Sequence, residues 1–436
     1  MDPILLSNNQ SALAKVLTGK ESSLAPLVHK KAAPFRNVVV KRMHLPITAA
    51  SDNTSQSVAI PRYGLVSQVF LRITVQAPAG LANPGDQALA DGWAYSLFDS
   101  VTISSHGKVI STVPALAAFE YANRVGDNEG KASGWAHVDG TSDTGSTDLK
   151  ASKFVTAILP LPFGLMAQLG DCIDTTFLEA LDLTISWNQG FSAAVQDNLA
   201  QSVKPADSPD ITIVTSASNR DSLGVNIPGT GFEITYFQMG AQDMQELSTM
   251  KYASPDSTMP KSNLYMNYFA ESRVTVAPSA ENTIEVELPI HCKSNIVKSY
   301  IFLRQEGGDD ATAYGKLHQI DNVELFCNGT RYWSMDNRLA YTQQLMLKNS
   351  LAVHAPVAAD NKIMRICYNL QDNPSRQNSG MASFRNVSSP CYKIKFNNAG
   401  TSVTAALKFR VYVVHEVLTI TSFDASNGQI QNALSL

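Results

Sequence analysis

Residues 99–108 read DSVTISSHGK, and residues 321–330 read DNVELFCNGT. Both run Asp, a small polar residue, Val, a polar residue, Ile or Leu, then three residues and a Gly, and the copies lie 222 residues apart. Alternation places Val101 and Ile103 on one face of a strand, with His106-Gly107 as the turn and Val109 beginning the return. The pair is not isolated. IPRYGLVSQVFLR (60–72) precedes the first copy and LPIHCKSNIVKSYIFLR (288–304) precedes the second. Each begins with an Ile-Pro or Leu-Pro step and ends in Phe-Leu-Arg. Two matching segments in the same order indicate a duplicated β-domain.

Bulk properties agree with two large β units. A chain of 436 residues exceeds one ordinary core, and 44% hydrophobic against 17% charged residues is ample for burial but low for an exterior fully bathed in water. Much of the surface is therefore expected to face other protein. The net charge of -4 gives no general pull toward nucleic acid. The first 42 residues differ, with Lys15, Lys20, Lys30, Lys31, Arg36, Lys41 and Arg42 against Asp2 and Glu21. That basic excess suits either a solvated arm or an acidic or membrane surface.

Five cysteines (172, 292, 327, 367 and 391) are odd in number and widely spaced, so reduced thiols are expected rather than a disulfide framework or a zinc site. The N-terminal stretch has no apolar signal-peptide region, and no run approaches 18 apolar residues. The expectation is a protein made intracellularly that does not span a membrane.

Along the chain, residues 1–35 read as an N-terminal arm with a short amphipathic helix at 11–20. RNVVVKRMHLPI (36–47) is the first strand, and residues 57–75 hold two strands split by Pro-Arg-Tyr-Gly. Further strands are expected in AILPLPFGLM, in 176–187 and in FEITYFQM (232–239), with ALAAFEYANR (115–124) as the best helix. Polar insertions at 76–92, 125–150 and 188–230 are long enough to carry contacts or function. The expected division is 36–239 as the first domain, 240–262 as a linker, 263–422 as the second domain and 423–436 as a C-terminal tail. The fold class is all-β: two tandem eight-stranded jelly-roll barrels with long loop insertions and an N-terminal arm.

The succession LVSQVFLRITV, LFDSVTISSHGKVIST, LPLPFGL (159–165) and TFLEALDLTISW resembles the first half of the double jelly-roll major capsid proteins of icosahedral, tailless, membrane-containing DNA viruses. The resemblance covers about residues 36–420 and is firmer in the first half. In the family an aromatic and an Asn-Pro-Gly-like turn usually follow the Pro-rich segment, whereas here Gly164 follows Phe163 and the turn is GDCID (170–174). NLQDNPSRQNSGMASF (369–384) keeps Asn373-Pro374 and Phe384 but lacks the L-P-L-P-F signature.

The resemblance implies a capsid protein of the virion shell that assembles as homotrimers of pseudo-hexagonal outline. Implied partners are neighbouring capsomers, penton and minor capsid proteins, and an internal viral membrane reached by the N-terminal arm; no specific nucleic acid is implied. The 125–150 insertion would be an outward tower or a trimer cap. Trp135 in it is either a contact anchor or the core of the loop itself.

No catalytic, cofactor-binding or metal-binding residue is expected. G-x-S-x-G, P-loop, H-E-x-x-H and G-x-G-x-x-G motifs do not occur. His291-Cys292 and His415-Glu416 are adjacent pairs, which on strands point to opposite faces, one member in the core and one out. Asn53, Asn328 and Asn386 head glycosylation-like triplets that read as turn chemistry. Asp99 and Asp321 are expected to start hairpins rather than share a proton. The alternative to a shell protein is a two-domain β-sandwich spike that binds a receptor or glycan, and a jelly-roll enzyme is the weakest reading.

Overall fold

The computed structural model describes residues 39–48, 50, 54–76, 87–90, 93–122, 146–148, 154–163, 173–175, 180–188, 195–197, 212–215, 228–238, 240, 261–276, 281–293, 295–306, 317–340, 363–368, 382–397, 408–424 and 429–431. The arm at 1–35 with its helix at 11–20, Asn53, Trp135, the turn at 170–172 and nearly all of the linker lie outside these residues.

The first half supplies β1 (Val39–Pro46), β2 (Ser55–Ala59), β3 (Leu65–Gln76), β4 (Gln87–Ala90), β5 (Phe98–Ser105), β6 (Lys108–Pro114), β7 (Ser146–Asp148), β8 (Phe154–Pro160), β9 (Ile173–Asp174), β10 (Asp182–Trp187), β11 (Val195–Asp197), β12 (Thr212–Ile213) and β13 (Gly231–Gln238). The second supplies β14 (Lys261–Val276), β15 (Thr283–Pro289), β16 (Asn295–Glu306), β17 (Asn322–Cys327), β18 (Thr330–Asp336), β19 (Ile363–Cys367), β20 (Ala382–Ser383), β21 (Cys391–Asn397), β22 (Lys408–Asp424) and β23 (Gln429–Gln431). Helix α1 (115–122) follows β6, and helix α2, described over 337–340, follows β18.

Strand pairing makes the duplication explicit. In the first half, β1, β13, β3 and β8 form one sheet and β2, β10, β5 and β6 the facing one; in the second, β14, β22, β16 and β19 face β15, β21, β17 and β18. Each half thus has two four-stranded sheets in the same chain order, with short additions: β9 and β12 on β3, β20 on β16, β23 on β22. This is the eight-stranded jelly-roll plan written twice.

The two hairpins of the opening stretches agree residue by residue. Val101 pairs with Val113 and Val323 with Met335; a bulge falls between Ile103 and Ser104 and again between Leu325 and Phe326. His106 and Gly107 have φ of 49° and 73°, and Asn328 and Gly329 have 54° and 75°. Two successive left-handed residues define the two-residue turn whose twist matches that of the strands.

The upstream match is real but out of step. β3 skips Ser67 against β13, and β16 skips Val297 against β22. These bulges equate Phe70 with Tyr300 and Leu71 with Ile301, so the two Phe-Leu-Arg triplets sit two residues apart in register. A shift of two preserves the face, and Leu71 and Leu303 both enter a core.

Alternation fills each barrel. Leu183, Ile185 and Trp187 of β10 meet Val69, Leu71, Ile73 and Val75 of β3 in the first core, while Tyr392, Ile394 and Phe396 of β21 meet Ile301 and Leu303 in the second. The outward faces of the two outer sheets differ. On the first, hydroxyls pair across strands: Ser55 with Ser186 (3.1 Å), Thr184 with Ser57 (3.2 Å) and Thr102 with Thr112 (3.1 Å). On the second, Lys393 reaches Glu287 (2.6 Å), Lys395 reaches Glu285 (3.3 Å) and Arg331 reaches Glu324 (3.3 Å).

The long insertions each yield one strand of a separate three-stranded sheet, in the order β11-β4-β7. Strand pairing also reaches into both stretches read as linker and tail, since β14 begins at Lys261 and β23 pairs with the end of β22.

Candidate functional site

Polar and apolar side chains of both halves are brought together at the contact between the barrels. Helix α1 follows Pro114 and is rich in alanine, which favours helix and permits close approach. Nearly all of it is buried: Ala115, Leu116, Ala117, Ala118, Phe119, Glu120 and Ala122. The outer face of β16 and β22 lies in the same apolar cluster through Tyr300, Phe302, Tyr412 and Val414. β22 is therefore covered on both sides, by its own core and by the first barrel, which is why VYVVHEV (411–417) is buried without alternation. Beside the helix, β6 of the first barrel lies along β14 of the second.

One ion pair joins the barrels inside this contact. Arg365 Nε donates to Glu120 Oε1 at 2.9 Å, and the side chains are 16% and 2% exposed. A buried carboxylate needs such a partner, because desolvation of an unpaired charge is costly. Nearby, Tyr300 donates its hydroxyl hydrogen to Glu416 Oε2 at 2.7 Å. Glu416 and His415 do point to opposite faces, but the outward member is buried too, because the face it occupies is covered by the other barrel.

His415 belongs to a polar chain within the second core. Tyr368 and Tyr392 hydroxyls are hydrogen-bonded, Tyr392 donates to Ser299 Oγ at 3.1 Å, and Ser299 Oγ lies 2.8 Å from His415 Nδ1. Ser299 Oγ donates to Nδ1 or accepts from it according to the imidazole tautomer, and the other ring nitrogen is Nε2. That Nε2 is buried with no hydrogen-bond partner. Burial lowers the His415 pKa to about 4 and raises Tyr392 to about 12. The imidazole is thus neutral at pH 7, and Tyr392 stacks on it at 6.1 Å. The chain links β16, β21 and β22 across the second core.

The remaining singled-out residues are dispersed. Asp99 and Asp321 start hairpins in separate barrels, where the Asp321 backbone N–H donates to Lys395 O and its carbonyl accepts from Asn337 N–H. His291 is exposed and Cys292 packs against the second core. Cys292, Cys327, Cys367 and Cys391 are free thiols, and burial pushes those of Cys327 and Cys391 up. Asn328 accepts a backbone hydrogen bond from Ser388 in its turn at 2.8 Å. Among the described residues no group of three or more His, Cys, Asp or Glu is placed to hold a metal ion, and no helix is long and apolar enough to cross a membrane. Sequence reasoning missed Glu120 and Arg365, which are 245 residues apart and carry no local motif.

No protein-family model and no curated protein matches the sequence. Solved structures do match. A chain of the PBCV-1 virus capsid aligns with a TM-score of 0.63 at 10% identity, over 92% of this chain and 97% of that one. The Faustovirus major capsid protein aligns at 0.55 and 10% identity, over 90% and 92%. The mavirus major capsid protein aligns at 0.51 and 12% identity, over 100% and 96%. Because these likenesses span both barrels in one alignment, the chain has the double jelly-roll fold found in these viral major capsid proteins.

Proposed function

We propose that the chain is a major capsid protein whose trimers form pseudo-hexagonal tiles of an icosahedral virion shell. The observation that carries this reading is the side-by-side seating of two like barrels in one chain, helix on sheet. Repeated by threefold symmetry, that arrangement surrounds an axis with six similar barrels. The fold shared with viral capsid proteins supports the same reading, as does the gathering of three insertions into one small sheet, suited to a tower on one end of the tile.

In this reading residues 36–239 and 263–422 are the two barrels, 240–262 joins them, and 423–436 is a tail. The arm at 1–35, basic and lacking a core of its own, orders on assembly against neighbouring tiles or an underlying membrane. Penton and minor capsid proteins are the further partners, the protein resides in the virion shell, and it performs no catalysis. No feature of the described residues favours the spike reading.

The test is to express the full chain, measure its mass in solution and image it by electron microscopy. Trimers of hexagonal outline are expected, and a monomer that binds glycans would sink the proposal. Deleting residues 1–34 is expected to leave folded trimers that fail to form shells or to attach to vesicles; unchanged assembly would remove the arm from the mechanism.

A further inference from the structure

The duplication sets the polar chain of the second core beside its own counterpart. In register, Ser299 stands where the first barrel has Val69, and His415, which pairs with Ser299, stands where Ile234 pairs with Val69. Tyr392 pairs with Leu325 as Leu183 pairs with Ile103, so Tyr392 occupies the place of Leu183. Counting on from the pairs Ile301–Met364 and Leu71–Leu159, Tyr368 falls at the place of Phe163. Val69, Ile234, Leu183 and Phe163 are all buried in the first core. A barrel of this plan therefore closes with four apolar side chains at these places, and the fold itself does not require the hydroxyls and imidazole of the second.

These polar groups lie where the two sheets of the second barrel face one another. Ser299 and His415 come from β16 and β22, and Tyr392 reaches them from β21 in the opposite sheet. All three are buried, His415 with 1% of its surface exposed. Lys298 and Glu416, adjacent to Ser299 and His415 in sequence and paired with each other, lie on the opposite face of their sheet. The groups that face the ring are Ser299 from β16, Tyr392 from β21 and the cross-strand neighbour Ala270 from β14. Tyr368 stands behind Tyr392, with the thiols of Cys292 and Cys327 near that tyrosine. None of these is a carboxylate.

Protonation would make both ring nitrogens donors. Nδ1 could then only donate to Ser299, which already accepts from Tyr392, and Nε2 has no acceptor. A cation held between two sheets with a donor unmet is costly, whereas an opened barrel lets water solvate it. The first core, with Ile234 in that place, takes up no proton there.

We propose that this polar layer is an acid-operated latch: acidification parts the two sheets of the second barrel while the first barrel stays closed. The latch needs only the fold, so it stands apart from the shell reading; within a shell it would loosen one barrel of every chain and leave the other intact. Burial lowers the ring pKa from 6.5 to about 4, so the closed barrel binds the proton more weakly than the open one, and falling pH favours opening. From these two values the open population rises about 20-fold between pH 7 and pH 5.

The test is hydrogen–deuterium exchange of the full chain at pH 7 and pH 5, with rates corrected for the intrinsic pH dependence of amide exchange. Peptides from β16, β21 and β22 are expected to show about 20-fold more opening at pH 5, while those from β3, β10 and β13 keep their protection. Two variants are expected to abolish the response. His415→Gln removes the titrating group and keeps a hydrogen-bonding side chain beside Ser299. The quadruple variant Ser299→Val, His415→Ile, Tyr392→Leu, Tyr368→Phe gives the second barrel the apolar layer of the first, and where it does not fold His415→Gln alone decides. Equal opening of both barrels, a parent without the response, or a response that survives His415→Gln overturns the proposal and leaves the shell reading untouched.

Discussion

Replacing Arg365 by Met removes the positive member of the ion pair between the barrels and leaves its partner in place. With Nε 2.9 Å from Oε1 and partial solvent contact on the Arg365 side only, the pair's attraction is about 6 kcal/mol at an effective dielectric near 20. Most of that offsets desolvation in the intact protein, but the single substitution takes the guanidinium away from a carboxylate that is 2% exposed. The expected loss is about 3–5 kcal/mol. Glu120→Gln removes the negative member instead, beside an Arg365 that is 16% exposed and closer to water, so the expected loss is about 1–2 kcal/mol. Glu120→Leu together with Arg365→Met replaces both charges by apolar groups of similar size and is expected within about 1 kcal/mol of the parent, or above it. The assay is urea unfolding followed by tryptophan fluorescence, and Glu120→Leu alone completes a double-mutant cycle with Arg365→Met and the double variant. If Glu120→Gln costs as much as Arg365→Met, or if the two substitutions are additive, the pair does not bridge the barrels as described.

Three further outcomes are expected. Because the His415 pKa falls from 6.5 to about 4 on folding, its contribution is complete above about pH 6.5 and is lost as pH falls toward 4, amounting to about 3 kcal/mol; His415→Gln should flatten stability across that window in pH-dependent melts. Gly329→Ala places a Cβ in open space at a φ of 75° and should cost about 1–2 kcal/mol, whereas a Cβ at Gly231 would collide with the Leu45 carbonyl and the His44 ring, so Gly231→Ala should cost about 3 kcal/mol; equal losses in chemical denaturation would refute the geometric distinction. Asp336 Oδ1 accepts from the Leu339 N–H at 2.6 Å at the start of α2, so Asp336→Ala should lower stability by about 1 kcal/mol, measurable by the same unfolding assay.

Local chemistry made part of this fold legible. The paired hairpins could be read because turn residues and alternation act over ten positions, and both stretches obey them to the bulge. The Phe-Leu-Arg match was read correctly as repetition but two residues out of register, because Ser67 and Val297 are extruded by bulges that leave no compositional mark. The helix at 115–122 was visible in its alanines, but not its burial between two barrels, which depends on residues far along the chain. Glu120 looks like an ordinary helical carboxylate until Arg365 arrives from β19. Likewise nothing within any one insertion announces that β4, β7 and β11 pair with one another, since non-local strand pairing is fixed by tertiary geometry.

The outward sheets have a consequence for how a shell would tessellate. A hexagonal piece with identical sides can be set down in six rotations without penalty. Here one barrel shows the serine and threonine ladder of β2, β10, β5 and β6, and the other the lysine–glutamate lattice of β15, β21, β17 and β18. In the proposed trimer, uncharged and ionic sides alternate, so only three of those rotations bring like to the same neighbour. In that trimer, divergence of the duplicated barrels would give each piece a compass, letting neighbouring pieces correct one another's orientation through a surface that needs no binding site.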